Sequence, residues 1–430
     1  MQSSSPTDTG AAARNLHLAL QALQRGDGSG AETAATEALE GFSAGGDRTG
    51  AAAAHQVLAM IALLGGAFEA ALAHVDAALP LRESTGDREG VASLWQERLE
   101  ICLRMGDLGG ALDAARKQVA ALAGAGDPEA RAHAAHQLAQ MLLQTGDDAG
   151  AAQVLQDALF ALSGTGGMER ARSALLLQFA SVWMQRQQPE QALGRAREAL
   201  DLARQARHRP AEIDAIQHIG VILAGKGDLF PAQRALTEAL AGREQLKDAD
   251  GKASVLRELG AVEVKLGDVD TGLARFVAAA EALSEAGNVP GAVACHQLRI
   301  ALADESERPE AALESARALV RLAAHLGDAE ASAAAQFLVA TRLAGIGDLT
   351  GAELAFRASL AAQEAQGLAH EAAVCRGMLG QVVYVMGRVD EGRALLGASH
   401  DALVALGSSA ADTVHDILHE LDAASAAEGT

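Results

Sequence analysis

Interruptions at a regular interval constrain this chain more than any other feature of its sequence. Gly-Asp occurs ten times, and every aspartate falls on one of two interleaved series that advance by 40 residues, with one slip of a single residue near Gln188. The aspartates are Asp27, Asp47, Asp87, Asp107, Asp127, Asp147, Asp228, Asp268, Asp328 and Asp348. Glycine suits the left-handed residue that closes a helix, and aspartate suits the N-cap of the next helix. The chain is therefore predicted to be interrupted about every 20 residues.

Between the interruptions, apolar residues recur at helical spacing. In the segment HQVLAMIALL, Leu58, Ile61 and Leu64 are three residues apart, as one face of a helix requires. Each segment leaves room for about four helical turns. The sequence thus predicts an all-α solenoid of about twenty helices in about ten pairs, rather than several globular domains.

Small residues recur in three columns within the helix pairs. The first helices carry Ala19, Ala59, Ala139, Ala180, Gly220, Gly260, Ala340 and Gly380. The second helices carry an early column, Ala31, Ala71, Ala111, Ala151, Ala192, Ala232, Gly272, Ala312, Ala352 and Gly392, and a later one, Ala38, Ala78, Ala158, Ala199, Ala239, Ala279, Ser359 and Ser399. Because the side chains at a contact set the distance between two helix axes, these columns are expected to fix the packing within and between units.

The small columns, and the leucines that precede the first of them, resemble the tetratricopeptide repeat in its longer form of about 40 residues. Those leucines are Leu18, Leu58, Leu138, Leu259 and Leu379. The long form is found in kinesin light chains and in several bacterial regulatory proteins. The resemblance covers roughly residues 12–407 and implies a right-handed α-α superhelix of about ten helix-turn-helix repeats. We expect flexible tails over 1–11 and 426–430 and a capping helix over 408–425. HEAT repeats, which have a similar period, are the alternative, and the small columns argue against them.

The same resemblance implies a place for binding. First helices line the concave groove in this family, and the groove residues sit one helical turn before the leucine and small residue. That column holds Gln56, Gln96, His136, Gln217, Arg257 and Gln297, with Leu177 and Phe337 interrupting it. A row of amides could hydrogen-bond the backbone of an extended peptide. The alternative is that these glutamines only keep a solvated face polar.

Charge and cysteine content narrow the partners and the compartment. The net charge of −21 argues against nucleic acid and is compatible with a basic or neutral protein partner. Cys102, Cys295 and Cys375 form no CxxC pair, which favours a reducing compartment. The chain shows neither a secretory signal nor an apolar run of membrane-spanning length. We therefore expect a cytoplasmic protein, and the excess of Arg over Lys together with abundant Ala and Gly is typical of a bacterium with a GC-rich genome.

Two short motifs imitate catalytic loops. Gly220, Gly225 and Lys226 match a phosphate-binding loop, but Gly227 stands where the magnesium-binding hydroxyl belongs, and no strand is predicted before them. GFSAG, which contains Ser43, imitates the nucleophile elbow of hydrolases, yet it closes a predicted helix. We expect both motifs to be helical.

The segment HDILH is a candidate metal site, as is, more weakly, the pair His133 and His136. His415 and His419 are four residues apart on a predicted helix and could share one metal ion. Residues 409–424 also have the pattern of the polar helix that caps a solenoid, and this interpretation is favoured.

The sequence as a whole favours a non-catalytic interaction protein that binds a peptide segment or a partner domain along the groove, without cofactor or metal. The alternative is a regulatory sensor, in which a small molecule or signalling peptide changes the pitch of the superhelix. The sequence leaves open which partner binds and whether the end repeats form a homo-oligomer.

Overall fold

All regular structure in the described part of this protein is helical. The computed structural model describes residues 7–123 and 127–428, which form 21 α-helices and no strand. Successive helices pack against each other as antiparallel neighbours, for example α1 on α2, α3 on α4 and α19 on α20. The expected all-α organisation in helical pairs is confirmed.

The chain divides into two compact units, residues 1–222 and 223–430, and the boundary falls inside α11. The helices of the first unit are α1 (Thr7–Gln24), α2 (Gly28–Ala44), α3 (Arg48–Leu64), α4 (Phe68–Ser84), α5 (Arg88–Met105), α6 (Leu108–Leu122), α7 (Pro128–Gln144), α8 (Asp148–Leu162), α9 (Glu169–Gln185), α10 (Pro189–Gln205) and α11 (Arg209–Lys226).

The second unit has the same construction. Its helices are α12 (Leu229–Leu246), α13 (Ala249–Lys265), α14 (Val269–Glu285), α15 (Val289–Glu305), α16 (Pro309–Leu326), α17 (Ala329–Gly345), α18 (Leu349–Ala365), α19 (Ala369–Val385), α20 (Val389–Ala405) and α21 (Ala410–Glu428).

The turns have the chemistry that the sequence predicts. All ten aspartates of the Gly-Asp pairs are N-cap residues, and eight accept a side-chain hydrogen bond from a backbone N–H of the following helix. Asp47 Oδ1, for instance, accepts from Gly50 N at 2.9 Å. Gly46 before it has φ 71°, the left-handed conformation that closes α2. Gly126, which precedes Asp127, lies outside the described residues.

Four turns reach the left-handed conformation without glycine. Gln187, Arg207, Lys247 and Glu307 have φ between 51° and 56°, at the places that glycine holds in the other turns. An L-residue with a Cβ is disfavoured there by about 1–2 kcal/mol. The repeat geometry is therefore strong enough to impose this conformation on ordinary residues.

The small columns lie where helices touch most closely. Ala71, Ala192 and Ala352 are fully buried. In the α13–α14 pair, a Cβ added to Gly260 would lie only 2.7 Å from the carbonyl oxygen of Gly272. The two backbones are thus in direct contact, and no larger residue fits at this crossing.

Helix occupies part of both expected tails, so the tail boundaries need correction. α1 begins at Thr7, inside the tail expected over 1–11, and α21 continues to Glu428, inside the tail expected over 426–430. Alanine, the strongest helix former, occupies positions 11–13, where the first stretch ends, and positions 426 and 427 in the second. Residues 1–6 and 429–430 lie outside the described part of the chain.

α21 packs along the last hairpin. Its Ala411 and Val414 are buried against Leu396 and Leu403 of α20. His415 and His419 are exposed on the same helix. Across the described ranges, no group of three or more His, Cys, Asp or Glu side chains is arranged to hold a metal ion.

The two catalytic look-alikes are helical. Gly220, Gly225 and Lys226 all lie within α11, and Ser43 lies within α2. Neither segment forms the strand and loop that a phosphate cradle or a nucleophile elbow needs. Within the described residues, no helix combines the length and apolar character needed to cross a membrane.

Candidate functional site

A cavity of the first unit lies on three successive first helices. Side chains from α7, α9 and the start of α11 enclose about 670 Å³, and α7 and α9 also touch each other directly. We call this space the α7–α9–α11 cavity. It opens on the face of the first helices, where the groove is expected from the sequence.

Helical spacing explains which side chains reach the α7–α9–α11 cavity. Residues separated by three, four and seven positions share one face of a helix. On α7 this face carries Glu129, His133, His136 and Gln140, and the same register on α9 carries Arg170, Ala174, Leu177 and Ser181. The two sets are 41 residues apart, which is one repeat, so equivalent positions of two successive repeats line the cavity.

Apolar side chains form most of the walls. Ala132, Ala171, Leu175 and Leu177 line the space, and Leu175 also belongs to the core that packs α5 to α9 together. The buried Ser173 hydroxyl donates to the carbonyl oxygen of Ala199 at 2.9 Å and so ties the wall to α10. The walls therefore rest on a packed core rather than on loops.

Gln178 places a buried amide in the wall. Its side chain is only 8% exposed, and Nε2 donates to the carbonyl oxygen of His136 at 2.8 Å. This bond fixes the orientation of the amide, since the NH₂ group must face the carbonyl oxygen. The other atom, Oε1, is buried without a hydrogen-bond partner.

His136 is a second polar side chain with an atom that lacks a hydrogen-bond partner. Its Nδ1 atom is buried and has no hydrogen-bond partner. Burial, with a smaller contribution from His133, lowers the pKa of His136 below its ordinary value of 6.5. The ring is therefore neutral at neutral pH, and the cavity holds an uncharged imidazole beside an unpaired amide oxygen.

The rim of the cavity is more polar than its walls. Arg170 forms an ion pair with Glu129 across α7 and α9, and both side chains are more than half exposed. His208 Nδ1 accepts from the backbone N–H of Ala211 at 3.2 Å, which caps the start of α11. His218 also lines the space, with Nδ1 2.9 Å from the carbonyl oxygen of Asp214.

Gln56, the first residue of the expected groove column, is engaged within the protein. Its Oε1 accepts from Arg82 Nη2 at 2.9 Å, and its Nε2 donates to Glu97 Oε1 at 2.8 Å. Arg82 also pairs with Asp87, the N-cap of α5, at 2.6 Å. We call Gln56, Arg82, Asp87 and Glu97 the Gln56 network. It joins α3, α4 and α5 and uses both polar atoms of the glutamine.

The other groove residues of the first unit are also placed by internal contacts. Gln96 Oε1 accepts from Gln118 Nε2 at 2.8 Å, and Gln217 is buried in α11. Of the four polar column residues in this unit, only His136 lines the α7–α9–α11 cavity. Helices α3, α5, α7 and α11 therefore do not present a continuous row of free amides.

In the second unit, Arg257 and Gln297 occupy the column. Arg257 is half-buried on α13, and its Nε atom has no hydrogen-bond partner. Gln297 is exposed on α15 and lines a smaller cavity of about 240 Å³ with Val293 and Leu338.

Sequence reasoning missed several residues of the α7–α9–α11 cavity. Arg170, Ala174 and Gln178 on α9 were not singled out, and neither were His208 and His218. The repeat carried a signal for some of them, because Ala174 and Gln178 lie three positions before and one position after the column residue Leu177. Reading the two neighbouring columns together with the groove column would have found them.

Comparison with known proteins adds solved structures but no family. No family model matches the chain, and no curated protein matches it. The chain is similar to a signal-transduction ATPase with a tetratricopeptide repeat sensor from Pyrococcus horikoshii, at 12% identity over 91% of this chain and 54% of that one, with a TM-score of 0.48. It is also similar to aspartyl phosphate phosphatase F from Bacillus subtilis, at 12% identity over 94% and 96% of the two chains, with a TM-score of 0.43. BtubC from P. vanneervenii shares 20% identity over 50% of this chain and 88% of its own, with a TM-score of 0.43.

The repeat observed here defines the class of the protein. Paired antiparallel helices recur every 40 or 41 residues, with small residues buried at their crossings. This is an all-α helical-repeat protein, as the sequence indicated.

Proposed function

We propose that this protein is a non-catalytic interaction protein that binds a peptide segment of a partner, with the α7–α9–α11 cavity as its main contact. The observation that carries the proposal is the cavity itself, because three successive first helices enclose it. An extended segment lying across these helices would place one or two of its side chains in the cavity. Helical-repeat proteins use such extended surfaces for binding.

The hydrogen bonds of the cavity favour binding over catalysis. A serine nucleophile needs a base within hydrogen-bond reach. The hydroxyl groups of Ser173 and Ser181 instead donate to the carbonyl oxygens of Ala199 and Leu177, at 2.9 and 3.3 Å. His208 and His218 each direct Nδ1 at a backbone group. These side chains are positioned by the fold and are not paired as nucleophile and base.

The remaining groove residues are the proposed secondary contacts. Arg257 and Gln297 in the second unit, and Gln96 in the first, lie in the same column as His136. The net charge of −21 favours a partner that is basic outside the segment held by the cavity. Binding of this kind is independent of any metal or cofactor.

A charged side chain placed in the cavity tests the proposal. Peptides are selected from a random displayed library against the purified full chain, and their affinities are compared for Ala174→Arg and Gln156→Arg. Ala174 is exposed and lines the cavity, whereas Gln156 is exposed on α8 away from it, so both variants add the same charge to a surface position. We expect Ala174→Arg to weaken peptide binding by at least about tenfold and Gln156→Arg to change it by less than about twofold. Equal affinities for both variants would contradict the proposal.

A second candidate function is that of a regulatory sensor. A volume of about 670 Å³ falls within the range of about 300–1,000 Å³ that is usual for small-molecule sites. If a small molecule or signalling peptide fills the cavity and shifts α7 against α9, the scattering radius of the full chain will change on binding. A selected ligand that binds without any such change would favour the interaction protein.

A further inference from the structure

The unpaired oxygen of Gln178 restricts what can occupy the α7–α9–α11 cavity. The bond from Nε2 to the carbonyl oxygen of His136 leaves Oε1 as a hydrogen-bond acceptor with no donor. A buried acceptor without a partner costs about 1–3 kcal/mol. An occupant that brings a donor to this oxygen recovers part of that cost, and one that brings only acceptors does not.

The neighbouring groups argue against a charged occupant. Arg170, the one arginine on the rim, already pairs with Glu129. Ala132, Ala174 and Leu177 form an apolar part of the lining, which offers no compensation to an ion that gives up its water. An uncharged donor can pair with Gln178 Oε1 at the lowest desolvation cost.

We propose that the cavity selects an uncharged group in which an aliphatic body carries a carboxamide, and that the amide N–H donates to Gln178 Oε1. A glutamine or asparagine side chain of the bound peptide is the simplest such group. Because Oε1 has almost no exposed surface, the contact requires a rotation of the Gln178 side chain that brings this oxygen to the cavity. This inference rests on the proposed function, because it names the chemistry of the side chain that the cavity accepts.

Three small probes of nearly equal shape isolate the donor. 4-Methylpentanamide carries the aliphatic body and an NH₂ group, 5-methyl-2-hexanone replaces that NH₂ with CH₃, and 4-methylpentanoate replaces it with a charged oxygen. Each is titrated into the full chain at pH 7.5 and followed by NMR of the histidine rings. We expect the amide to bind about fivefold more tightly than the ketone, the ratio that one neutral hydrogen bond of about 1 kcal/mol supplies. The carboxylate is expected to bind most weakly.

Two variants show whether the ratio comes from Gln178. Gln178→Met removes the acceptor and keeps the length of the side chain. Gln118→Met is the matched control, because Gln118 is also a buried amide with a bonded Nε2 and an unpaired Oε1, and it lies outside the cavity. The amide-to-ketone ratio is expected to fall to about one in Gln178→Met and to stay near five in Gln118→Met.

Other outcomes would overturn the inference in distinct ways. Equal binding of amide and ketone by the unaltered chain, or a ratio that survives Gln178→Met, would remove Gln178 as the selecting group. Tightest binding of the carboxylate would show that the site prefers an anion. None of these results bears on whether Ala174→Arg weakens binding of the selected peptides. The proposed function is therefore tested independently of this inference.

Discussion

Two regions of the first unit occupy equivalent places in the repeat and differ in how they satisfy their polar groups. In the α3–α5 region, Gln56 bonds to both Arg82 and Glu97 and so has both of its polar atoms paired. In the α7–α9 region the equivalent positions, 80 or 81 residues later, are held by His136, Leu162 and Gln178.

The difference between the two regions involves all three positions. Arg82 reaches from α4 to Gln56 on α3 and to Asp87 at the start of α5, and Leu162 supplies no such donor. Gln56 donates to Glu97, whereas its position is held by His136 in the other region, where Gln178 Oε1 is unpaired. The repeat scaffold thus tolerates either a satisfied polar network or an open cavity at one place. Under the proposed function, the repeat that binds is the one whose polar groups are left unpaired.

The largest expected effect comes from making the first region resemble the second. Arg82→Leu removes the donor shared by Gln56 and Asp87, and it removes the positive charge beside the half-buried Glu97. We expect a loss of about 2–3 kcal/mol in the free energy of unfolding of this region. Trp95 on α5 reports urea unfolding of this region, and Trp183→Phe removes the other tryptophan.

The control for Arg82→Leu is an arginine pair in the open region. Arg170 and Glu129 are 58% and 52% exposed, and solvent screens such pairs. Arg170→Leu is expected to cost less than about 0.5 kcal/mol, with Trp183 as the reporter. Equal losses in the two variants would show that the Gln56 network does not stabilise α3–α5 beyond an ordinary surface pair.

A smaller effect separates the two glutamines. Gln56→Met leaves Arg82 Nη2 and Glu97 Oε1 without their partner, and about 1–2 kcal/mol should be lost. Gln178→Met removes one hydrogen bond but also an unpaired buried oxygen, so stability should change by less than about 0.5 kcal/mol. Urea midpoints of the two variants, read at constant slope, test this difference. Similar losses would mean that Gln178 Oε1 is satisfied in solution, for example by ordered water.

The two regions also show how much of the structure could be predicted from the sequence. The spacing of the interruptions and the columns of small residues were sufficient to predict the helices and their pairing. Turn chemistry and steric fit are local properties, and they repeat along the chain. The groove column identified His136, which lines the cavity, but it also placed Gln56, which is bonded within the protein, among the binding residues. The partners of a side chain depend on residues that are distant in sequence, such as Arg82 for Gln56. Such long-range pairings follow from three-dimensional register, and a periodic pattern alone does not reveal them.

The turns leading into the two regions offer a further contrast of about 1 kcal/mol. The turn before α5 uses Gly86 with φ 70°, whereas the turn before α11 uses Arg207 with φ 51°. Gly86→Ala should therefore destabilise α3–α5 by about 1 kcal/mol, and Arg207→Gly should stabilise the cavity region by about 0.5–1 kcal/mol. Thermal unfolding followed at each tryptophan measures both. A loss of stability in Arg207→Gly would show that the arginine side chain makes a contact that outweighs the backbone strain.

The smallest expected effects have opposite dependence on pH. Burial raises the pKa of Glu97, so its contribution to stability is fully present below about 4.5 and is lost as the pH rises through the raised value. Burial lowers the pKa of His136, so its contribution is present above about 6.5 and is lost as the pH falls through the lowered value. Each change should amount to less than about 1 kcal/mol, because both groups retain contact with solvent.

Neutral replacements separate these two titrations. Relative to the unaltered chain, His136→Gln should gain stability as the pH falls below 6.5, and Glu97→Gln should gain stability as the pH rises above 4.5. His55 and His74, whose pKa values are also lowered by burial, act in both variants and cancel in the difference. Urea unfolding between pH 8 and pH 4 provides the measurement. If His136→Gln showed no relative gain in acid, its ring would be open to water, and the α7–α9–α11 cavity would be a hydrated cleft rather than a site that an uncharged group can fill.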